Sequence, residues 1–506
     1  MDQRSGIQID PQRGEPIYKQ ICYEIRRRIL GGTYPAGYRL PPARLLAREL
    51  STHRNTVARA FDELEAAGLV HSIVGRGTFV SAPPDAAQPA AGRYPGQLPW
   101  SSLISDALTA EPLSRLDRLV HTVLREDLIN LTGMYPSADL LPADLLRRCL
   151  DHVLRTQGPK SLGYSPRQGV LHLRELIAQQ LSDRHIPVGA DDIIVTTGSQ
   201  QALDLIARAL VNPGETLLVD EFTYTGALTA FAAAGARVVG VPADDRGPDL
   251  DALRRLARDG AKAFYVMPNC SNPTGMSITL ERRKELVEWS HAAGVAIIED
   301  DYGAELNLDG GPTPAALRGL DRDVLYVSTF SKRLIPALRV GYVVCPPALR
   351  RQLVALKHSM DLGTSTLMQL ALAEFIRRGY LRSHLRRLLP QYRARRDALE
   401  AALRAHLPAE VSWQRPRQGV FLWLRLPAAL DPEVVFDEAQ RQGVLVSPGT
   451  LHSVYRPSQG GLRLTFCAEP PERLADGAQR LAKAIEIVAA RVGTQAAAAV
   501  PGMEGV

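Results

Sequence analysis

Six short apolar runs, rich in β-branched residues, constrain the fold of this 506-residue chain more than any other feature of its sequence. Continuous apolar runs of this kind are typical of strands that are buried on both faces of a mostly parallel sheet. Amphipathic helical stretches separate the runs, so the sequence predicts an α/β body. The runs lie at residues 193–197, 216–219, 238–241, 264–267, 295–298 and 324–327.

The pattern changes on both sides of this alternation. Residues 81–92 are small residues and prolines with one Asp and one Gln, which is typical of an extended linker. After residue 348 the pattern becomes helical over 350–377 and 391–405. Strands near 419–426 and 461–466 and a last helix then predict a smaller α+β subdomain. We therefore expect an N-terminal domain at 11–81, a linker at 82–97, a two-part body at 98–488 and a flexible tail at 493–506.

Composition limits the cellular compartment that we expect for the chain. It has no apolar run of about 18 residues, and its first residues are polar, so we expect neither a membrane span nor a secretory signal. The five cysteines are odd in number and far apart, which favours reduced thiols over disulfides or a metal cluster. The sequence therefore predicts a cytoplasmic protein without a structural metal.

Most of the positive charge lies near the N-terminus. Residues 1–80 hold 12 basic and 8 acidic side chains, which a nucleic-acid-binding module would require, although a basic surface on any small domain is an alternative. Isoleucines at every fourth position predict a helix over 16–31. Two further helices, at 43–50 and 54–67, flank a short polar turn as in a helix-turn-helix, and 69–80 alternates like a β-hairpin. The residues at the leading end of the last helix are Arg54, Asn55, Thr56 and Arg59.

This segment resembles the GntR-type winged helix-turn-helix over nearly its whole length, in the motifs LPPAR, RNTV and GRGTFV. The resemblance implies double-stranded promoter DNA as a partner, and it adds Arg44 and Arg76 to the predicted DNA-binding residues. His53 stands where relatives usually carry a small residue, so a base preference cannot be transferred. A three-helix adaptor that binds protein is the alternative.

Polar residues follow several of the apolar runs, where ligands of open α/β sheets bind. Each of these residues is weak evidence alone, but together they match the needs of pyridoxal 5′-phosphate. This cofactor needs an anion nest, a lysine for a Schiff base, a hydrogen-bond donor and a carboxylate for its ring nitrogen. Of the seven lysines, Lys332 alone follows a buried strand in a small polar loop. The other residues of this set are Ser199, Gln200, Asn272, the adjacent carboxylates Glu299, Asp300 and Asp301, and Tyr302, Ser331 and Arg339.

The body resembles fold-type I aminotransferases of class I and II, in NPTG and in the SK…R pattern. The resemblance implies that Lys332 carries the Schiff base and Asp300 pairs with the ring nitrogen. Asn272 and Tyr302 would hold the ring hydroxyl, and Tyr224 would stack on the ring. It further implies a phosphate site of Ser199, Gln200, Ser331 and Arg339, with Tyr164 reaching the phosphate across a dimer interface.

Arg463 is the predicted carboxylate receptor. It points opposite to Leu462 and Leu464 on an alternating strand, and it resembles the family arginine that holds a substrate carboxylate. An exposed strand arginine is the alternative for Arg463, and a structural cap or ion pair is the alternative for Asp300.

A GntR-like reader, a linker and a complete aminotransferase-like body resemble the MocR family of GabR-type and PdxR-type regulators. The resemblance implies a homodimeric regulator whose body senses the cofactor, an amino-compound effector, or both. A working aminotransferase with an accessory DNA module remains open, because Lys332 and Arg463 leave nothing chemically necessary missing. A sensor of cofactor level alone is the third hypothesis.

Overall fold

The computed structural model describes residues 9, 16–30, 34, 37–50, 52–66, 68–73, 77–81, 128–303, 305–311, 313–455 and 460–498. For residues 27, 30, 66 and 494–498 it describes the backbone alone. The chain divides into two compact units, Met1–Leu103 and Ile104–Val506, and each is described by itself. The predicted linker at 82–97 and Arg76 lie outside the described residues.

The N-terminal unit has three helices and a two-stranded hairpin. Helices α1 (Ile17–Leu30), α2 (Ala43–Glu49) and α3 (Arg54–Ala66) precede β1 (Val70–Ile73) and β2 (Gly77–Val80), which pair antiparallel. The isoleucines that recur at every fourth position of α1 face the core as predicted, since Ile21 and Ile25 are fully buried. They pack in one cluster with side chains of α2, α3 and the hairpin, including Leu46, Val57, Leu64 and Val80.

The second unit is built on a seven-stranded sheet with the order β4-β10-β9-β8-β7-β5-β6. All six predicted runs form strands, and these run parallel, whereas β10 is antiparallel to both of its neighbours. The sequence analysis missed β10. The strands are β4 (Ile193–Thr196), β5 (Thr216–Asp220), β6 (Arg237–Val241), β7 (Ala261–Val266), β8 (Ala296–Asp300), β9 (Leu325–Thr329) and β10 (Gly341–Val344).

Helices cover both faces of this sheet, which is why its strands are apolar without alternation. Leu217 and Val219 of β5 pack into one core cluster, whereas Leu218 between them packs into another on the opposite face. The helices of this part are α4 (Ala143–Gln157), α5 (Leu171–Ser182), α6 (Ser199–Leu210), α7 (Thr225–Ala233), α8 (Leu250–Ala257), α9 (Leu280–Ala293), α10 (Leu317–Leu320), α11 (Pro347–Asp361) and α12 (Thr366–Arg377).

The predicted smaller subdomain is present and contains two further sheets. A four-stranded antiparallel sheet has the order β11-β12-β15-β14, and a short parallel pair joins β13 to β3. The elements are β3 (Ile129–Asn130), α13 (Tyr380–His406), β11 (Ser412–Trp413), β12 (Phe421–Arg425), α14 (Pro432–Arg441), β13 (Val444–Leu445), β14 (Ser447–Pro448), β15 (Gly461–Thr465) and α15 (Pro471–Ala498).

The last helix extends further than expected. Residues 493–498 were predicted to begin a flexible tail, but they continue α15, which ends at Ala498. The reason is local, since four alanines follow Gln495 and alanine has the highest helix propensity. Residues 499–506 lie outside the described part. Among the residues that are described, no helix is long and apolar enough to cross a membrane.

Candidate functional site

The carboxyl ends of β4, β7, β8 and β9 meet around one pocket, as expected for parallel strands that share an edge. It receives every cofactor residue predicted from the sequence except Tyr164. The pocket is lined by Met134, Ser199, Gln200, Tyr224, Met267, Asn272, Asp300, Tyr302, Thr329, Ser331, Lys332, Arg339 and Phe421.

Asp300 is the carboxylate that β8 presents to the pocket. It is buried, and its Oδ2 accepts a hydrogen bond of 2.9 Å from the Tyr265 hydroxyl. Its Oδ1 is buried without a hydrogen-bond partner in the described part of the chain. Burial raises the pKa of Asp300 to about 7. A carboxylate oxygen left in this state needs a donor or a cation from a ligand.

The neighbours of Asp300 have structural roles instead. The Glu299 carboxylate accepts hydrogen bonds from the backbone N–H groups of Leu317 and Arg318, at the start of α10. Asp301 pairs with Arg184 and accepts a 2.7 Å hydrogen bond from Tyr326. Burial alone would raise the pKa of Asp301, but the Arg184 guanidinium holds it below its ordinary value. The cap and the ion pair that were alternatives for Asp300 therefore belong to the residues on either side of it.

Lys332 lies in the loop between β9 and β10, and its side chain lines the pocket. Burial, together with the nearby guanidinium groups of Arg463 and Arg339, lowers the pKa of Lys332 to about 8. A lysine with a depressed pKa has a larger neutral fraction near pH 7 and is a better nucleophile. Lys332 therefore has the environment that a Schiff-base lysine requires.

The start of α6 has the geometry of an anion cradle. The helix begins at Ser199, preceded by Gly198 with φ +86°, and its first N–H groups have no partner within the helix. A Cβ on Gly198 would come within 2.8 Å of Arg339 Nη2, and a Cβ on Gly341 would come within 2.9 Å of the Ser199 nitrogen. Backbone thus lies closely around the predicted phosphate site. Arg339 Nη2 donates to the carbonyl of Thr197 at 3.2 Å, at the same end of the helix.

The side of the pocket near Tyr224 is held by hydrogen bonds. The Tyr224 hydroxyl donates to Gln200 Oε1 at 3.2 Å, and Gln200 Nε2 donates to the Gly226 carbonyl at 2.6 Å. Ser331 is engaged with Thr329, their hydroxyl oxygens being 3.0 Å apart. The predicted stacking and phosphate-binding residues therefore sit in fixed positions.

Tyr302 and Asn272 are in the pocket but have protein partners. The Tyr302 hydroxyl donates to the carbonyl of Cys270 at 2.7 Å. Asn272 Oδ1 accepts from Arg463 Nη1 at 3.0 Å. Their predicted contact with a ring hydroxyl would require a change or a sharing of these bonds, and it stays a prediction.

Arg463 is 4 % exposed, so the alternative of an exposed strand arginine is wrong. It lies on β15 opposite Trp423 of β12, and its guanidinium is 5.1 Å from the ring centroid of Phe421, a pocket residue. Burial lowers the pKa of Arg463 to about 10. Its Nε has no hydrogen-bond partner among the described residues. Arg463 therefore has donor capacity left for a carboxylate beside the pocket.

Tyr164 lies apart from this group. It is 87 % exposed and does not line the pocket, so its predicted role across a dimer interface stays a prediction.

Sequence reasoning missed four residues that complete the pocket. Met267 directly follows β7 and Thr329 ends β9, so their positions at strand ends were a usable signal. Met134 and Phe421 come from distant parts of the chain, Phe421 from β12 of the small sheet. Only the tertiary fold brings these two together.

The N-terminal unit presents a candidate nucleic-acid surface. Arg44 on α2 and Arg54 and Asn55 at the start of α3 are exposed, and Thr56 is half-buried. Arg59 is also exposed, but its Nη2 donates to the Tyr18 hydroxyl at 3.2 Å and its guanidinium lies 3.9 Å from the centre of that ring. Arg59 therefore braces α3 against α1 in this structure.

Comparisons with known proteins match both units. Residues 127–481 match the family "aminotransferase class I and II", and residues 17–80 match "bacterial regulatory proteins, gntR family". The chain is 33 % identical to the probable rhizopine catabolism regulatory protein MocR of Rhizobium meliloti, over 94 % of this chain and 95 % of that protein. It is also 33 % identical to aromatic-amino-acid aminotransferase 1 of Thermococcus litoralis, over 77 % of this chain and 95 % of that one.

A solved structure is similar to the second unit as well. The α-aminoadipate aminotransferase LysN of Thermus thermophilus, complexed with N-(5′-phosphopyridoxyl)-L-leucine, superimposes with a TM-score of 0.72 at 31 % identity. The match covers 78 % of this chain and all of that chain. These matches confirm the predicted fold class, a winged helix-turn-helix joined to a fold-type I aminotransferase body.

Proposed function

The chain belongs to the aminotransferase class I and II family, in the MocR-type branch that adds a GntR-type helix-turn-helix, and we propose that it is a pyridoxal-phosphate-dependent transcription regulator. One observation carries the proposal: a helix-turn-helix with exposed basic residues and a pocket with all the groups that this cofactor needs occur in the same chain. The MocR relative has both parts across nearly its whole length.

Pyridoxal 5′-phosphate is the cofactor of this family, and the pocket fits it. The buried Oδ1 of Asp300 has no hydrogen-bond partner among the described residues, and a protonated ring nitrogen would supply one. The close backbone around Gly198 and Gly341 leaves the N–H groups of α6 for a phosphate. We assign the phosphate to Ser199, Gln200, Ser331 and Arg339, the ring to Asp300, Tyr224, Asn272 and Tyr302, and the aldehyde to Lys332.

When bound, the cofactor would supply an aldehyde that an amine can attack and an electron-withdrawing ring. The residues of this chain position that chemistry. Lys332 offers a nucleophilic amine of lowered pKa, and Asp300 would balance the positive charge of the ring. Arg463, from the small subdomain, is placed to receive the carboxylate of an amino-compound effector beside Asn272.

The proposed regulator reads promoter DNA as a homodimer in the cytoplasm. Arg44, Arg54, Asn55 and Thr56 would contact the DNA through α2 and α3, with Arg59 and Arg76 as further contacts. Tyr164, which is exposed in one subunit, would complete the pocket of the other. We retain the segments 11–81 for DNA binding, 82–97 for the linker and 98–488 for the cofactor.

A working aminotransferase is the second candidate. The observation in its favour is that Lys332, Asp300 and Arg463 are all present around the pocket, as in an enzyme of this family. The presence of the helix-turn-helix favours the regulator.

The deciding experiment measures promoter binding by the purified protein with and without pyridoxal phosphate, across a panel of amines and amino acids. The visible spectrum is recorded in parallel. We expect the cofactor, or the cofactor with one amino compound, to change the DNA affinity or the length of DNA protected. Rapid multiple-turnover transamination with no effect on DNA binding would favour the enzyme instead.

A further inference from the structure

A second cavity, of about 440 Å³, lies beside the predicted cofactor pocket and shares the side chain of Met267 with it. This volume is within the range of small-molecule sites. Its floor is formed by buried side chains, whereas Asp244, Asp245 and Arg425 at its rim are exposed. None of the roles proposed above uses this cavity.

The cavity is lined by a buried carboxylate with one oxygen that has no hydrogen-bond partner in the described part of the chain. Asp220, the last residue of β5, is 9 % exposed, and its Oδ1 accepts no hydrogen bond from the described residues. Burial raises the pKa of Asp220 to about 7. Leaving such a group unpaired costs free energy, so Asp220 indicates that a donor or a cation enters from the cavity.

The charge around the cavity has one dominant sign. Four carboxylates line it, from Asp220, Glu221, Asp244 and Asp245, against one guanidinium, that of Arg425, among the described lining residues. Asp244 already pairs with Arg282 Nη2 at 3.0 Å. The remaining acidic groups favour a cation over an anion.

Two aromatic rings give the cavity an apolar wall. Phe222 and Trp423 line it, and their ring centroids are 5.3 Å apart at an interplanar angle of 55°. Met276 and Ile278 add further apolar surface. Aromatic faces beside a carboxylate suit an organic cation, because the rings attract the charge and also bury the carbon groups that carry it. A hydrated metal ion would gain nothing from them.

We propose that this cavity is a binding site for an organic ammonium ion, a protonated amine carried on an apolar or aromatic group, with Asp220 as its hydrogen-bonding counter-ion. The ammonium N–H lies at Asp220 Oδ1, and the apolar group lies against Phe222 and Trp423. The site is separate from the pocket of the proposed function, so either proposal can fail while the other holds.

The test uses the full-length protein loaded with pyridoxal phosphate and the probe N,N-dimethylbenzylamine. This tertiary amine is protonated at neutral pH and keeps one N–H donor, but it cannot condense with an aldehyde. Isothermal titration calorimetry should therefore report saturable binding while the visible spectrum of the cofactor stays unchanged. We expect Asp220→Asn, which keeps the size of the side chain, to weaken binding about tenfold or more.

Asp259→Asn is the matched control, since it removes an equal charge from an exposed residue outside the cavity and should leave the affinity unchanged. Phe222→Leu should weaken binding by about threefold to tenfold, because it removes one of the two aromatic faces against which the apolar group lies. Three results would overturn the proposal: no saturable binding at millimolar probe, equal binding by Asp220→Asn, or displacement of the probe by magnesium ions, which would mark a metal site. A fourth overturning result is binding to the cofactor-free protein but not to the loaded protein, which would place the probe in the cofactor pocket.

Discussion

Three adjacent carboxylates, Glu299, Asp300 and Asp301, differ only in what surrounds them. Glu299 accepts hydrogen bonds from backbone N–H groups, and Asp301 pairs with Arg184. Of the three, Asp300 alone faces the pocket, and its Oδ1 has no hydrogen-bond partner among the described residues. The sequence predicted that carboxylates end this strand, and it predicted Asp300 through family resemblance. It could not predict the bond from Tyr265, because that bond depends on β7 lying next to β8.

Asp300→Asn should have opposite effects on stability and on cofactor binding. The pKa of Asp300 is raised from an ordinary value of 3.8 to about 7 in the folded chain. Between pH 3.8 and pH 7, therefore, Asp300 keeps its proton in the folded chain but loses it in the unfolded chain. Stability from this group is therefore present below pH 4 and is lost as pH rises to about 7. The cost above pH 7 is on the order of 1.4 kcal/mol per unit of pKa shift.

We therefore expect Asp300→Asn to unfold at a higher temperature than wild type at pH 8 when both are free of cofactor, with little difference at pH 4. The same variant should bind pyridoxal phosphate more weakly, because an amide cannot balance the charge of the ring. Thermal scans and cofactor titrations measure both effects, and Asp323→Asn, at an exposed position, is the control. A lower unfolding temperature at pH 8 would contradict the assignment.

Lys332→Ala should abolish the visible absorbance of the Schiff base while leaving the fold intact. The reason is that Lys332 is the one lysine among the described residues that line the pocket. The absorption spectrum of the purified, cofactor-loaded variant is the measurement, with circular dichroism to check the fold. Lys284→Ala, on the exposed side of α9, should keep the wild-type spectrum. A wild-type spectrum in Lys332→Ala would remove this lysine from the site.

At the scale of elements, apolar runs predicted six strands of the large sheet but missed β10. This strand follows the polar loop of Lys332 closely, and a short apolar run does not reveal the direction in which it pairs. Its position between β4 and β9 matters for the site. Gly341 of β10 is opposite both Thr196 and Thr329, so the strand pairing holds the start of α6 near the lysine loop.

The start of α3 carries the element-scale prediction about DNA. Arg54→Ala should weaken promoter binding by about 1 to 3 kcal/mol if Arg54 contacts a base edge. If Arg54 contacts phosphate, the affinity should fall by a similar factor for all DNA sequences. The slope of log affinity against log salt concentration should then become smaller by about one. Fluorescence anisotropy at several salt concentrations distinguishes the two. Lys19→Ala removes an exposed charge from α1 and serves as the control. Wild-type affinity of Arg54→Ala at every salt concentration would contradict this placement of α3.

At the scale of the whole molecule, the sequence predicted a DNA-binding domain, a linker and a two-part body. Family resemblance predicted Arg463, but the sequence could not predict that Phe421 of the small sheet lines the pocket or that Arg463 bonds to Asn272, because both depend on tertiary packing. Arg463 on β15 donates to Asn272 in the loop after β7, so one hydrogen bond connects the two subdomains at the site. A ligand carboxylate that binds Arg463 would compete with Asn272 for the guanidinium and so would weaken this hydrogen bond between the subdomains.

We expect Arg463→Ala to keep cofactor binding and DNA binding but to lose the influence of an amino-acid effector on DNA, by about tenfold or more in effector concentration. Arg463→Lys keeps the charge without the bidentate geometry and should show an intermediate loss. Promoter binding titrated with effector, alongside the visible spectrum, measures both. An undiminished effector response in Arg463→Ala would favour sensing of the cofactor level alone.

The edge position of β4 has a consequence for the kinetics of folding. In the described sheet β4 pairs with β10 alone, and these two strands are far apart along the chain. Closing so long a loop is entropically costly, so this pairing, and with it the start of α6, should form late, after the folding transition state. Interactions formed that late slow unfolding and barely change the folding rate. Stopped-flow measurements should therefore show that bound cofactor lengthens the life of the native state without speeding its formation.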